Sequence, residues 1–195
     1  MRTNLSPGTK LALAMGLAAS AIIFSGNRPV SAQGELTPIT AETKADLRIG
    51  AFSPSNSRIR REVGNLLPAV GVDYYLGHNG NGGRNIVSIG YMDRGTTGHR
   101  LQMIPLTFGQ TNYQYSRGSF GKAYFGYGVG AYFVNQDITD SLGFRETTHT
   151  TLFGGYVNVG TDLANNLFVD ARYHFTSSAG SANPGGLELS GGFRF

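Results

Sequence analysis

The sequence contains no cysteine, and after its first few dozen residues it contains no long hydrophobic run. The absence of cysteine excludes a disulfide framework and thiol chemistry, so stability has to come from backbone pairing and packing. Because no second apolar stretch approaches about 20 residues, a bundle of membrane-spanning helices is excluded as well. Charged residues make up only 14% of the chain and form no basic stripe, which argues against a nucleic-acid partner.

The first 32 residues have the pattern of a cleavable export signal for the Sec pathway. Arg2 and Lys10 precede an apolar run at residues 11–24 that is too short to span a membrane as a helix, and residues 30–32 (Val-Ser-Ala) fit a cleavage site. An uncleaved membrane anchor is the alternative. Removal of residues 1–32 takes away three cations and no acid, which lowers the formal net charge from +4 to +1.

The rest of the chain is dominated by apolar residues that alternate with polar or small ones. A period of two is typical of a strand with one apolar and one polar face. Most of the segments have about the 9–11 residues that a tilted strand needs to cross a membrane. Eight strands are predicted, at residues 44–53, 67–77, 84–94, 98–115, 120–135, 146–161, 166–176 and 185–195.

The connections between these strands alternate in length, apart from a brief one at residues 95–97. Outer-membrane barrels place short turns in the periplasm and longer loops outside. The sequence therefore predicts an all-β fold, an eight-stranded antiparallel up-and-down transmembrane β-barrel. The signal occupies residues 1–32, a lead-in residues 33–43 and the barrel residues 44–195. A soluble lipocalin-like barrel with its apolar face inward is the alternative.

Several stretches carry a resemblance to known proteins: LRIGAFSP at 47–54, VGVDYYLG at 70–77, IPLTFG at 104–109, AYFGYGVGAYF at 123–133, LFVDARYHF at 167–175 and the final LSGGFRF. On these residues the chain resembles the small bacterial outer-membrane β-barrel superfamily of the OmpX, OmpW and OmpA-barrel type. The terminal Phe195 and Phe193 resemble the insertion signal of such barrels.

The resemblance implies a monomer in the bacterial cell outer membrane, where it would contact lipid and lipopolysaccharide. It also implies assistance from the barrel-assembly machinery during insertion. Members of such families serve as structural, adhesive or narrow-passage proteins.

The polar residues of the alternating strands predict a filled lumen. If the apolar face meets lipid, they point inward, where opposite charges can pair as buried charges require. An eight-stranded barrel is just wide enough to be filled by side chains. The glycines of the fifth strand, Gly126, Gly128 and Gly130, are predicted to make room for the arginines. The predicted charge network consists of Asp46, Arg48, Asp73, Asp170, Arg172, His174, Glu188 and Arg194.

Other residues predict local features of the barrel. Pro105 in the fourth strand predicts a bulge or distortion, because proline cannot donate to the ladder. The chain's 29 glycines suit tight turns, bent strands and a crowded interior. Aromatic residues near strand ends are predicted to form girdles at the membrane borders. These are Tyr75, Tyr91, Tyr113, Tyr115, Phe133 and Phe195.

The last hairpin carries the one candidate for catalysis. With a turn centred on residues 180–181, Glu188 would lie opposite His174, with Thr176 nearby. The segment HFTSSAGSANPGGLE resembles the active-site hairpin of outer-membrane lipid A 3-O-deacylases. That resemblance implies His174 as base, Thr176 as nucleophile and Glu188 as orienting acid. The alternative is a lumenal hydrogen bond that fixes strand register, since Glu188 alternates with apolar residues.

The first long loop carries Arg58, Arg60 and Arg61, which could contact lipopolysaccharide phosphates or simply be solvated. The scattered histidines predict no metal site, and no cofactor is predicted. The leading prediction is a non-enzymatic outer-membrane barrel with a structural or surface-interaction role and a charged lumen. A narrow passage for small apolar solutes and a lipid A deacylase-like hydrolase are the alternatives.

Overall fold

A computed structural model describes residues 44–78, 83–96, 98–114, 122–139, 145–163, 166–178 and 183–195; the predicted signal and lead-in lie outside these ranges. The strands are β1 (Ala45–Pro54), β2 (Leu67–His78), β3 (Arg84–Thr96), β4 (His99–Gln114), β5 (Ala123–Thr139), β6 (Arg145–Asp162), β7 (Leu167–Thr176) and β8 (Gly186–Arg194), with a helix α1 (Ser57–Val63) between β1 and β2. Each strand pairs with the next, and β8 closes on β1. The predicted eight-stranded antiparallel barrel is confirmed.

The strand boundaries follow the alternation pattern closely, and β5 shows the largest difference. It begins at Ala123 rather than at residue 120, and it continues to Thr139 rather than ending at residue 135. The strands β4, β5 and β6 have 16, 17 and 18 residues, whereas β1, β7 and β8 have 10, 10 and 9. We call the end of the barrel that holds Ala45 and Arg194 the lower end. At the upper end, the longer strands form a projecting wall beyond the last β6–β7 pair, Gly154 with Thr176.

The outer surface of the barrel is apolar. Alternate residues of each strand point outward, and those of β1 and β7 include Leu47, Ile49, Leu167 and Val169, which are 40–64% exposed. The tyrosines that were predicted to form aromatic girdles point to different faces of the barrel. Tyr91 points outward, but Tyr75 and Tyr113 do not. The Tyr75 hydroxyl donates to the buried Asp46, and the Tyr113 ring lies against the lumenal Tyr124. Tyr115 lies outside the described residues.

Pro105 produces the predicted distortion, but as an interruption of the pairing and not as a bulge. Between β3 and β4 the pairing breaks off after Ile89–Leu106 and resumes in the same register at Met92–Met103, whereas between β4 and β5 it continues through Pro105. The proline ring is accommodated because the residue opposite is Gly90, where a Cβ would lie 2.9 Å from the proline Cγ. The register shift that the structure does contain lies in β2, between Tyr75 and Gly77.

The predicted polar loop between β1 and β2 contains the helix α1, which sequence reasoning missed. Asn56 caps it, because its side chain accepts hydrogen bonds from the backbone N–H groups of Arg58 and Ile59. One turn apart, Ile59 and Val63 are buried against the upper end of the barrel. None of the described residues belongs to a helix long and apolar enough to span a membrane.

Candidate functional site

All eight residues of the predicted charge network face the lumen, where each is between 1% and 7% exposed. Their strands present them inward because the neighbouring apolar residues in each strand point outward. Charged groups with so little contact with water require ionic and hydrogen-bonding partners. The partners are arranged in layers along the barrel axis.

The central layer is a network of two arginines and two carboxylates. Arg48 Nη1 donates to Glu188 Oε1 at 2.6 Å, and its Nη2 donates to Asp73 Oδ1 at 3.2 Å. The other oxygen of Asp73 accepts from Arg172 Nη2 at 2.9 Å. The Ser88 hydroxyl donates to Asp73 and accepts from both arginines. A third carboxylate, Asp170, borders the layer: its Oδ1 lies 3.6 Å from Arg172 Nε, and its Oδ2 accepts from Asn158 Nδ2 at 2.6 Å. The layer thus ties strands from opposite sides of the barrel together.

Glycines make room for this layer, although not as the sequence predicted. The guanidinium of Arg172 lies over the ring of Tyr156, 4.3 Å from its centroid. Gly128 accommodates Tyr156 rather than an arginine, because a Cβ at Gly128 would lie 2.5 Å from the tyrosine ring. The glycine that makes room for an arginine is Gly71 in β2, where a Cβ would lie 2.6 Å from Arg48 Nη2.

At the other two glycines of β5, the atoms nearest to an added Cβ do not belong to an arginine. A Cβ at Gly126 would lie 2.4 Å from Asn158 Oδ1, and one at Gly130 would lie 2.1 Å from the Leu106 carbonyl oxygen. Both positions therefore need glycine for close packing against β4 and β6.

The lower layer is centred on Arg194, the last residue of β8. Its Nη1 lies 2.8 Å from Asp162 Oδ1, and its Nε lies 3.4 Å from Asp46 Oδ2. Its guanidinium also lies 4.8 Å from the centroid of Phe168 and 5.1 Å from that of Tyr124. Cationic, anionic and aromatic groups thus fill the lower end of the lumen.

The upper layer is apolar, and sequence reasoning missed it. We call it the apolar cap. Its side chains come from the upper ends of β1–β6 and from α1, which lies across them. Its buried residues are Phe52, Ile59, Val63, Leu67, Ala69, Met92, Leu101, Met103, Tyr132, Val134 and Leu152.

Hydrogen bonds hold the loop that carries α1 in this position. Arg60 donates to the carbonyl oxygens of Pro54 and Ser55 at 2.8 Å each. Arg94 donates to the carbonyl oxygen of Leu66, and Thr96 donates to that of Glu62 at 3.0 Å. The cap therefore covers the charged layers at the upper mouth of the lumen.

The three catalytic candidates do not form a nucleophile–base pair. His174 Nε2 lies 3.0 Å from Glu188 Oε2, and its Nδ1 lies 3.1 Å from the Tyr132 hydroxyl. The Thr176 hydroxyl donates instead to Asn183 Oδ1 at 2.7 Å. Acyl transfer by this hairpin would need the hydroxyl to bond the imidazole.

The pairing of the last hairpin differs from the predicted one. Glu188 lies opposite Arg172, and His174 lies opposite Gly186. The hydrogen bond between His174 and Glu188 is therefore diagonal across the two strands. It faces the lumen, as the alternation of β8 predicted.

The three arginines of the first long loop have different surroundings. Arg58 is half-exposed and pairs with Glu62 one helical turn later at 3.1 Å. Arg60 donates to the two backbone carbonyls described above, and Arg61 is exposed.

Phe193 and Phe195 resemble the insertion signal of outer-membrane barrels. Both side chains point outward at the lower end and are 40% and 63% exposed. No group of three or more metal-ligating side chains occurs within the described ranges.

Comparison with known proteins identifies the fold. The N-terminal β-barrel domain of Pseudomonas aeruginosa OprF matches with a TM-score of 0.55 at 11% identity, over 79% of this chain and 98% of that domain. Ail, the attachment invasion locus protein of Yersinia pestis, matches with a TM-score of 0.51 at 16% identity, over 80% of this chain and all of Ail. A second structure of Ail holds the heparin analogue sucrose octasulfate and matches with a TM-score of 0.50 at 16% identity.

No family model matches the sequence, and no curated protein does. The predicted likeness to small outer-membrane β-barrels is confirmed in the fold.

Proposed function

We propose that this protein is an integral barrel of the bacterial outer membrane with a structural or surface-interaction role, and that its lumen conducts no solute. The apolar outer surface favours a lipid environment. A closed barrel also satisfies the backbone polar groups of its strands, each of which would cost several kcal/mol unpaired in hydrocarbon. The upper end, with α1 and the projecting wall, then faces the exterior.

The filled lumen is the observation that carries this proposal. The charged layers are bonded across the barrel, and the apolar cap lies above them. A narrow passage would need a continuous open path, whereas the inward-pointing residues of the charged layers and of the apolar cap are buried. The geometry of His174 and Thr176 likewise favours a structural role for the last hairpin over acyl hydrolysis.

Contacts at the upper surface are the second part of the proposal. Arg58 and Arg61 lie on the exposed side of α1, where they could reach the phosphate groups of lipopolysaccharide. Ail, a protein of the same fold, has been solved with a polysulfated heparin analogue. Arg60 contributes less to such contacts, because backbone carbonyls occupy its guanidinium.

Single-channel recording in a planar bilayer tests the proposal. The purified protein should first be shown to be folded by its shifted gel mobility without boiling. We then expect no current steps, while a porin added to the same bilayer gives steps under the same voltage. Reproducible steps from the folded protein would contradict a filled, non-conducting lumen.

A further inference from the structure

A row of hydrogen-bonded polar side chains crosses the outside of the projecting wall. Gln102 Nε2 donates to the Tyr91 hydroxyl at 3.0 Å, and Asn135 Nδ2 donates to Gln102 Oε1 at 2.6 Å. Asn135 Oδ1 lies 2.7 Å from His149 Nδ1. We call Tyr91, Asp93, Arg100, Gln102, Asn135 and His149 the polar ribbon.

Asp93 and Arg100 complete the ribbon at its β3 end. The Tyr91 hydroxyl donates to Asp93 Oδ2 at 2.9 Å. Arg100 donates to both oxygens of Asp93, with Nε at 2.9 Å and Nη2 at 2.6 Å. The ribbon is thus one continuous hydrogen-bonded chain over four neighbouring strands.

The position of the ribbon follows from strand register. Asp93 lies opposite Gln102, Gln102 opposite Asn135 and Asn135 opposite His149, so these four residues form one row across β3–β6. Two residues lower on β5 the outward side chain is Phe133, which is 43% exposed. The ribbon therefore marks the upper border of the apolar surface on this side of the barrel.

The chemistry of the ribbon favours hydroxyl-bearing ligands. The charges of Arg100 and Asp93 balance, and the other members are amides, an imidazole and a phenol, so the ribbon offers no excess positive charge to a polyanion. Amide and carboxylate oxygens each have two acceptor sites and can bond a ligand in addition to one another. Because mutual hydrogen bonds already hold the side chains, binding would cost little side-chain entropy.

We propose that the polar ribbon binds the sugar hydroxyls of lipopolysaccharide in the outer leaflet. This inference rests on the proposed function, because the ribbon faces lipid headgroups only when the apolar surface lies in a bilayer with its upper end outside. The ribbon faces sideways from the wall, at the border where acyl chains end and headgroup sugars begin. It is separate from the arginines of α1.

The chain offers a matched control at the lower end. On β4 and β5, Tyr127 donates to Gln110 Oε1 at 2.9 Å, and Gln110 Nε2 donates to Asn112 Oδ1 at 3.4 Å. This group also combines a tyrosine with two amides at a border of the apolar surface, on the same outward face of β4. It would meet the inner leaflet, which lacks lipopolysaccharide.

The test compares the double variant Gln102→Leu/Asn135→Leu with the control Gln110→Leu/Asn112→Leu. Each folded protein is reconstituted in vesicles whose lipopolysaccharide is confined to the leaflet at the upper end of the barrel, and the midpoint of heat unfolding is followed by gel mobility as the lipopolysaccharide content of that leaflet is raised. A ligand that binds only the folded state raises this midpoint with concentration. Since two hydrogen-bonding groups are lost, we expect about a tenfold weaker apparent affinity for the ribbon variant and an unchanged affinity for the control.

Phosphatidic acid supplies an anionic lipid whose headgroup carries neither a sugar nor an alcohol hydroxyl, and it should not distinguish the ribbon variant from the parent protein. An equal response of both double variants to lipopolysaccharide would overturn the inference, as would a phosphatidic acid titration that reproduces the difference. If the double variant does not fold, His149→Ala at the exposed end of the ribbon replaces it, with a weaker response expected in the same direction. Failure of the parent protein to enter the membrane would instead refute the proposed function.

Discussion

Replacement of Arg48 by methionine tests the energetic role of the charged lumen. The side chain is 3% exposed and bonds Glu188, Asp73 and Ser88. Its removal leaves two buried carboxylates short of a partner, and breaking a buried ion pair in this way costs about 3–5 kcal/mol. Because Asp73 keeps Arg172 and Glu188 keeps His174, we expect a loss near the lower limit, about 3 kcal/mol.

The assay is reversible urea unfolding in lipid vesicles, with the folded fraction measured by gel mobility without boiling. The matched control is Arg58→Met on α1, where the half-exposed pair with Glu62 has the spacing of one helical turn. Such a pair contributes only about 0.3–0.5 kcal/mol, so the control should unfold almost as the parent protein does. If Arg48→Met also costs less than about 1 kcal/mol, the lumen is hydrated well enough to screen its charges, and the description of a filled interior is wrong.

Three further predictions concern other parts of the molecule. Gly128→Ala should lower the free energy of unfolding by about 1–3 kcal/mol in the same assay, because its Cβ would collide with the ring of Tyr156. The control Gly191→Ala should be tolerated, because the nearest atom to its Cβ lies at 3.7 Å. Equal effects of the two substitutions would contradict this packing. Asn56→Ala should increase hydrogen exchange in α1 by weakening its cap by about 1 kcal/mol, with the barrel strands still protected. His174→Ala should leave lipid A acylation unchanged by mass spectrometry, and loss of a deacylation that the parent protein performs would restore the hydrolase alternative.

The alternation of residues predicted the barrel and its lumenal charges, because a period of two assigns each side chain to one face once the apolar face is known. The same rule gave the wrong face at the upper ends of β3 and β4. There Met92, Leu101 and Met103 point inward into the apolar cap, while Asp93, Arg100 and Gln102 point outward. An apolar upper lumen cannot be recognised from alternation alone, since the polar and apolar faces are exchanged part-way along these strands.

The helix α1 carried signals that could have revealed it. Asn56 precedes it as a cap, Ile59 and Val63 are four residues apart, and Gly64 follows with a positive φ of 95°. The apolar cap beneath this helix depends on long-range packing between strands, which the sequence of the loop does not specify. The pairing of His174 was mispredicted for a related reason, because strand register in a hairpin depends on the length and geometry of its connection.

The central claim is that the apolar outer surface of the barrel faces lipid. Cell fractionation followed by gel electrophoresis with and without boiling tests this claim most directly. We expect the protein in the outer-membrane fraction, with a band that changes mobility on boiling, because a closed barrel embedded in lipid resists detergent until heated. A freely soluble periplasmic protein with no heat-dependent shift would contradict the claim that its apolar face meets lipid.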